Sequence, residues 1–282
     1  VLLQLCWRSS AFPCLGCSWR RDRKAHKRIT DSPHSYGRPM NCQPRWKRLV
    51  YKCSLINQMC LLCDEPADQA YPMCIACEQE LPWLGDQCLR CALPLPMAGL
   101  TCAHCCRHLP PFESVIAPWQ FGFPVDTLVS RFKHNRQWPL GRLMAELLGF
   151  GLLHRFAEGL PRPDLLLPVP LAKRRLRERG FNQAGMLGRW LSTQLGLPCD
   201  ERLLLRTRET PAQQQLDARA RRRNLRQAFA LSGELTGKHV AIVDDVFTTG
   251  ATAQAIAEVL RKAGARRVDV YCLARTPKPG YA

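Results

Sequence analysis

Four Cys-x-x-Cys pairs, Cys60/Cys63, Cys74/Cys77, Cys88/Cys91 and Cys102/Cys105, fall in a single window, and the second half repeats the first at a shift of 28 residues. A two-residue separation turns both thiolates toward one ion, and a second such turn completes a tetrahedron with Zn–S distances of ~2.3 Å. The window has too little apolar content to fold unaided, so the metal is expected to supply much of its folding free energy. Two structural zinc sites are expected. Sequential pairing of the knuckles is preferred, although an interleaved arrangement uses the same ligands and His104 or Cys106 could replace a neighbour. The chain has 16 cysteines in 282 residues, too long and too irregularly spaced for a small disulfide scaffold. The metal-type spacing instead points to a reducing compartment.

Charge divides the chain further. Residues 1–59 hold twelve basic against two acidic residues, residues 173–226 hold fourteen against five, and the total is +18. Two basic stretches of this kind fit polyanionic partners: nucleic acid, phosphorylated small molecules or anionic lipid. Residues 1–56 show no sustained period of 3.6 or 2 and are read as a disordered basic extension or a spuriously translated one, with Met40 or Met59 as candidate starts. The most apolar stretch, Leu143 to Phe156, carries Glu146, His154 and Arg155 and is too short to span a bilayer of ~30 Å. The interrupted apolar start, Val1 to Leu5 before Trp7 and Arg8, does not fit a secretory signal. The expectation is a cytoplasmic protein without membrane insertion.

From Pro110 onward, strands alternate with helices. Ser114–Phe121 reads as a strand, Val125–His134 and Leu140–Phe156 as helices and Leu165–Val169 as a buried strand. Then follow a helix over Gln183–Leu195, a strand over Val240–Val243, a helix over Ala251–Ala263 and a last strand over Val268–Leu273. That alternation implies an α/β fold with a parallel sheet. Cys272, inside the last strand, is read as core packing.

The stretch from His239 to Thr252, His-Val-Ala-Ile-Val-Asp-Asp-Val-Phe-Thr-Thr-Gly-Ala-Thr, carries most of the chemistry. An apolar strand runs into Asp244 and Asp245, and Thr248, Thr249 and Gly250 precede a helix that begins at Ala251 or Thr252. Ligands of open parallel sheets bind beyond the carboxyl ends of the strands, and a helix N-terminus behind a Gly- and Thr-containing loop offers N–H groups and hydroxyls to a phosphate. The carboxylates suit the vicinal hydroxyls of a ribose. An acidic N-cap would explain one such residue but not the whole series.

These residues resemble the phosphoribosyl pyrophosphate (PRPP) motif of type I phosphoribosyltransferases. With the cysteine window, residues 57–277 resemble the ComF/GntX family, the competence protein F group. That resemblance implies a parallel-sheet type I phosphoribosyltransferase-like domain over 110–277, preceded by a small Cys-rich double zinc ribbon over 57–109 and followed by a tail over 278–282. It implies that Asp244 and Asp245 hold the ribose hydroxyls, as the catalytic pair, and that Thr248, Thr249, Gly250, Ala251 and Thr252 hold the 5′-phosphate, with Mg²⁺ accompanying PRPP. Leu167–Leu171 matches the strand end that leads into the family's pyrophosphate loop, with Val169, Pro170 and Leu171 at its turn. Arg179–Gln183 matches its Arg-Gly-Phe-Asn-Gln signature, so Arg175, Arg179, Asn182 and Gln183 join the pyrophosphate site. Lys173, Arg174 and Arg177 extend that basic cluster. Arg206, Thr210, Gln213, Leu216, Arg221 and Asn224 match a further series that implies a mobile loop, and Arg219, Arg221, Arg222, Arg223 and Arg226 suit nucleic-acid phosphates.

The function implied is DNA uptake or processing: binding of PRPP or another phosphorylated sugar, binding of single-stranded DNA, and contact with DNA-uptake or DNA-processing proteins. Were the fold catalytic, a nucleophile would displace pyrophosphate from C1 of PRPP, and no nucleobase-binding signature names the acceptor. The alternative is a non-enzymatic module that senses PRPP or a nucleotide and docks a protein partner through the ribbon.

Overall fold

The computed structural model describes residues 58–207 and 228–277, all within one compact unit, Val50–Ala282. The basic extension over 1–56, the tail over 278–282 and the expected loop residues Thr210, Gln213, Leu216, Arg219, Arg221, Arg222, Arg223, Asn224 and Arg226 lie outside the described residues.

The centre is a parallel sheet in the order β3 (Ser114–Ile116), β9 (Arg267–Arg275), β8 (His239–Phe247) and β5 (Leu165–Pro168), with β4 (Trp119–Gln120) also pairing with β9. The expected single strand over 114–121 is thus two short pieces, both in register with β9. Pro118 lies between them and has no N–H to give the ladder. The two central strands run nine residues each and are buried on both faces, as their nearly unbroken apolar sequence requires.

Strand alternation sorts the core into two layers. Val240, Ile242, Val270 and Cys272 face α7 (Ala251–Lys262), together with Cys88, Cys91, Cys102 and Cys105. Ala241, Val243, Tyr271 and Leu273 face α3 (Val125–His134), α4 (Trp138–Ala157) and α6 (Gln183–Leu195), together with Cys60, Met73 and Leu81. The cysteine window therefore packs its two halves into different layers. At the amino ends of the strands, buried His239 places Nε2 2.7 Å from Asp269 Oδ2 and Nδ1 3.0 Å from the Arg162 carbonyl, and Ser114 Oγ donates to Asp269 Oδ1 at 2.9 Å. These contacts tie β3, β8 and β9 together where no ligand is expected.

The remaining elements are small. β1 (Gln58–Met59) pairs antiparallel with β2 (Pro66–Ala67), and the short helices α1 (Ile75–Gln79) and α2 (Ala103–Arg107) each start beside a knuckle cysteine. A seven-residue helix, α5 (Lys173–Arg179), stops at Gly180, whose left-handed φ of 83° suits a residue without Cβ. β6 (Leu204–Arg206) and β7 (Phe229–Leu231) form an antiparallel pair that the apolar pattern does not announce.

Candidate functional site

The thiols fall into two sets, Cys60/Cys63/Cys74/Cys77 and Cys88/Cys91/Cys102/Cys105, with all ligand atoms of a set within 4.8 Å of one another. This is the sequential pairing, and His104 and Cys106 belong to neither set. A tetrahedron with Zn–S of ~2.3 Å has S···S edges of about 3.8 Å. Cys63 and Cys74 Sγ are 3.6 Å apart, and Cys91 and Cys102 Sγ 3.7 Å apart. Backbone N–H groups donate to sulfur in both sets, from Cys102 to Cys88 Sγ at 3.2 Å and from Cys77 to Cys74 Sγ at 3.5 Å. Burial by itself would raise the Cys60 thiol, but the N–H groups of Cys74, Leu62 and Cys63 outweigh it and bring Cys60 to about 6. Cys88 is brought to about 7 in the same way by the N–H groups of Cys102, Cys91 and Arg90. Burial and the charges of Cys88 and Cys102 push Cys91 up to about 11. Four thiolates so close together need a cation, and each set could hold one zinc.

At the other candidate centre, β8 continues through both carboxylates instead of ending before them. Adjacent residues of a strand point to opposite faces. Asp244 accordingly faces a cavity of about 30 Å³ that Val169, Thr248, Gly250, Ala251 and Thr252 also line. Burial and the Asp245 charge push Asp244 up to about 8, against the Asp245 N–H and Lys133. Buried Asp245 faces the α3 layer, where its Oδ2 lies 2.7 Å from Lys133 Nζ. The two carboxylates are neighbours in sequence, with different surroundings.

The loop after β8 closes tightly. Gly250 has φ of 79°, and a Cβ there would lie 2.6 Å from Phe247 Cζ. The Ala251 N–H donates to Thr249 Oγ1 at 3.4 Å as α7 begins. Just after β5, the Val169 N–H donates to the Val243 carbonyl at 2.9 Å, and Asn182 Nδ2 donates to the Val169 carbonyl at 3.1 Å. Arg179 Nη1 donates to Gln183 Oε1 at 2.6 Å. The strand–Val169–Pro170–Leu171 segment and the Arg179–Gln183 signature are thus bound to each other beside Asp244. Arg175 and Arg179 line a second, larger cavity with Lys133, while Arg206 stacks over Phe229 in the β6–β7 pair and lines neither cavity.

Sequence reasoning missed Lys133 and Arg275. The run Arg131-Phe-Lys-His-Asn-Arg136 gave a local signal for the first. Arg275, 2% exposed, closes an apolar strand and gave almost none. Its Nε donates to the Cys91 carbonyl at 2.8 Å, and its Nη1 donates to the carbonyls of Phe247 at 3.2 Å, Thr248 at 2.7 Å and Thr276. The guanidinium also sits 5.0 Å from the Phe247 ring centroid. One side chain therefore joins a knuckle of the second cysteine set to the loop at the head of α7.

A parallel sheet with an acidic strand end and a Thr-Thr-Gly-x-Thr turn into a helix defines a phosphoribosyltransferase-like α/β protein, and residues 191–281 match the family model for the phosphoribosyl transferase domain. The chain is 40% identical over 168 residues to DNA utilization protein YhgH of Escherichia coli strain K12, covering 59% of this chain and 74% of that protein. It is 35% identical over 170 residues to competence protein F of Haemophilus influenzae, with the same coverage. This chain belongs to the competence protein F (ComF) family. Among solved structures, it is similar to a purine phosphoribosyltransferase from Pyrococcus horikoshii, with 24% identity, a TM-score of 0.31, and coverage of 47% of this chain and 73% of that one.

Proposed function

We propose that the chain binds PRPP or a closely related sugar phosphate at the carboxyl end of β8 and acts in the handling of single-stranded DNA. One observation supports this reading most: Asp244, the Thr248–Thr252 turn and Val169 surround one cavity at the ligand end of a parallel sheet. The N–H groups at the start of α7 and the hydroxyls of Thr248, Thr249 and Thr252 are the donors for a 5′-phosphate. Asp244 accepts from a ribose hydroxyl, and Asp245, through Lys133, fixes the cation nearest the opposite face. Oxygen donors of this kind, together with ligand phosphates, suit Mg²⁺. When bound, that ion would neutralise charge building on a departing pyrophosphate. Arg175 and Arg179 stand on the pyrophosphate side. The names of the relatives, with the charge of residues 173–226, support a role beside DNA, in the cytoplasm and alongside DNA-uptake or DNA-processing proteins, with Arg219, Arg221, Arg222, Arg223 and Asn224 as strand contacts. No helix among the described residues is long and apolar enough to cross a membrane.

The decisive experiment is calorimetry of zinc-replete protein with PRPP and Mg²⁺, alongside an assay of pyrophosphate release with candidate bases. Saturable binding that Asp244→Asn weakens by at least tenfold is expected; no heat with any phosphorylated pentose would overturn the reading. A second reading is a PRPP sensor without turnover, docking a partner through the ribbon. It is favoured by the engagement of Asp245 with Lys133, which leaves one carboxylate of the pair facing the cavity. Binding without pyrophosphate release would select it.

A further inference from the structure

Where α3 ends and α5 begins, a cavity of about 420 Å³ is lined by Lys133, His134, Arg136, Arg175, Glu178 and Arg179. It carries four permanent cations against one carboxylate, and Glu178 already pairs with Arg174 at 2.8 Å. Lys133 is held by Asp245. Arg136 and Arg175 have no carboxylate within ion-pair distance among the described residues. Burial pushes the Arg179 guanidinium down, Asp245 opposes that, and the like charge of Arg175 adds to it. Like charges crowded in this way repel, and a fold that holds them together is matched by a polyanion.

The rim adds a second kind of group. Trp138, 50% exposed, opens α4 two residues after Arg136, and its ring meets Phe181 edge-on with centroids 6.4 Å apart. Phe181 follows Gly180, and a Cβ on Gly180 would lie 3.1 Å from Arg136 Nη2. Arg136 and Trp138 thus pack on the same corner between α5 and α6, the guanidinium over the glycine and the indole against the phenylalanine. The pyrophosphate of a bound sugar phosphate accounts for Arg175 and Arg179 but leaves Arg136 and an exposed indole unexplained. A nucleotide uses both, with its phosphate among the arginines and its base on the aromatic face.

We infer that this corner is a contact site for single-stranded nucleic acid, taking a backbone phosphate at Arg136 and stacking a base on Trp138, next to Arg175 and Arg179 on the pyrophosphate side of the proposed sugar-phosphate site. The inference deepens the strand-binding half of the proposed function, on which it rests, and places a contact at Arg136, between α3 and α4, and at Trp138, the first residue of α4. Lys133, shared with Asp245, sets this site beside the carboxylate pair.

The test measures binding of labelled oligo-dT to the full chain over a salt series, with thymidine monophosphate, pyrophosphate and a duplex of equal length as comparison ligands and PRPP binding followed in parallel. Trp138→Leu should weaken oligo-dT binding about tenfold, in line with stacking of ~1–3 kcal/mol per base, while Trp138→Phe should stay close to wild type. Arg136→Gln should lower the salt slope by about 0.7, the loss of one phosphate contact to a single strand. Wild-type affinity and slope in both Trp138→Leu and Arg136→Gln would overturn the site. If neutralising Arg221–Arg223 then abolished binding, the wider strand-binding reading would still stand. Absence of oligo-dT binding by the wild type at low salt would overturn both. Equal affinity for duplex, or thymidine monophosphate competing with oligo-dT no better than pyrophosphate does, would overturn the single-strand assignment, whatever the result with PRPP.

Discussion

Asp244 sits in surroundings far from those of a free side chain. Its pKa is raised by burial and by Asp245 to about 8, so between the ordinary carboxylate range and about 8 the folded protein holds a proton that the unfolded chain has released. Stability must then fall as pH rises through that interval, because the native state binds more protons there. Asp244→Asn removes the titration, and its melting temperature is expected to exceed that of wild type by a few degrees at pH 8 and to converge with it near pH 4. Thermal melts of both proteins across pH check this, and a parallel pH dependence in the two would refute it. The same variant is expected to lose sugar-phosphate binding, so stability and affinity should move in opposite directions.

Among the elements, the β8–loop–α7 unit carries the candidate site, and its tightest point is Gly250. Gly250→Ala forces a Cβ toward the Phe247 ring at an unfavourable φ, with an expected cost of about 1–3 kcal/mol and weaker PRPP affinity, read by denaturant unfolding and calorimetry. Much of this unit was legible in the sequence, because an apolar run, two acids and a Thr/Gly turn combine signals of strand, ligand and helix start. The helices over 125–134 and 183–195 were legible from their apolar period. The extent of β8 was not: polar residues at its end read as loop, whereas pairing with β9 carries the strand as far as Phe247. That extension is what sends Asp244 and Asp245 to different faces. The β6–β7 pair escaped notice because three-residue strands are too short to show a period. The sequential grouping of the cysteines needed three dimensions, since spacing is the same for interleaved pairing.

At the scale of the whole molecule, the cysteine window is part of the core and not an appendage. The first set packs with Met73 and Leu81 into the α3–α4–α6 layer, and the second packs into the α7 layer. Metal analysis of the purified chain is expected to give two zinc ions per chain, and one after Cys102→Ser or after Cys63→Ser. The two variants should differ in their remote effects. Arg275 reaches from the Cys91 carbonyl to those of Phe247 and Thr248, whereas the first set has no such link among the described residues. Cys102→Ser is therefore expected to weaken PRPP binding more than Cys63→Ser, by calorimetry at matched temperature; equal effects would show that Arg275 transmits nothing. A thiol oxidant reaching the second set would then act on the Thr248–Thr252 turn without touching it, making the redox state of the surroundings an input to what this end of the sheet can hold.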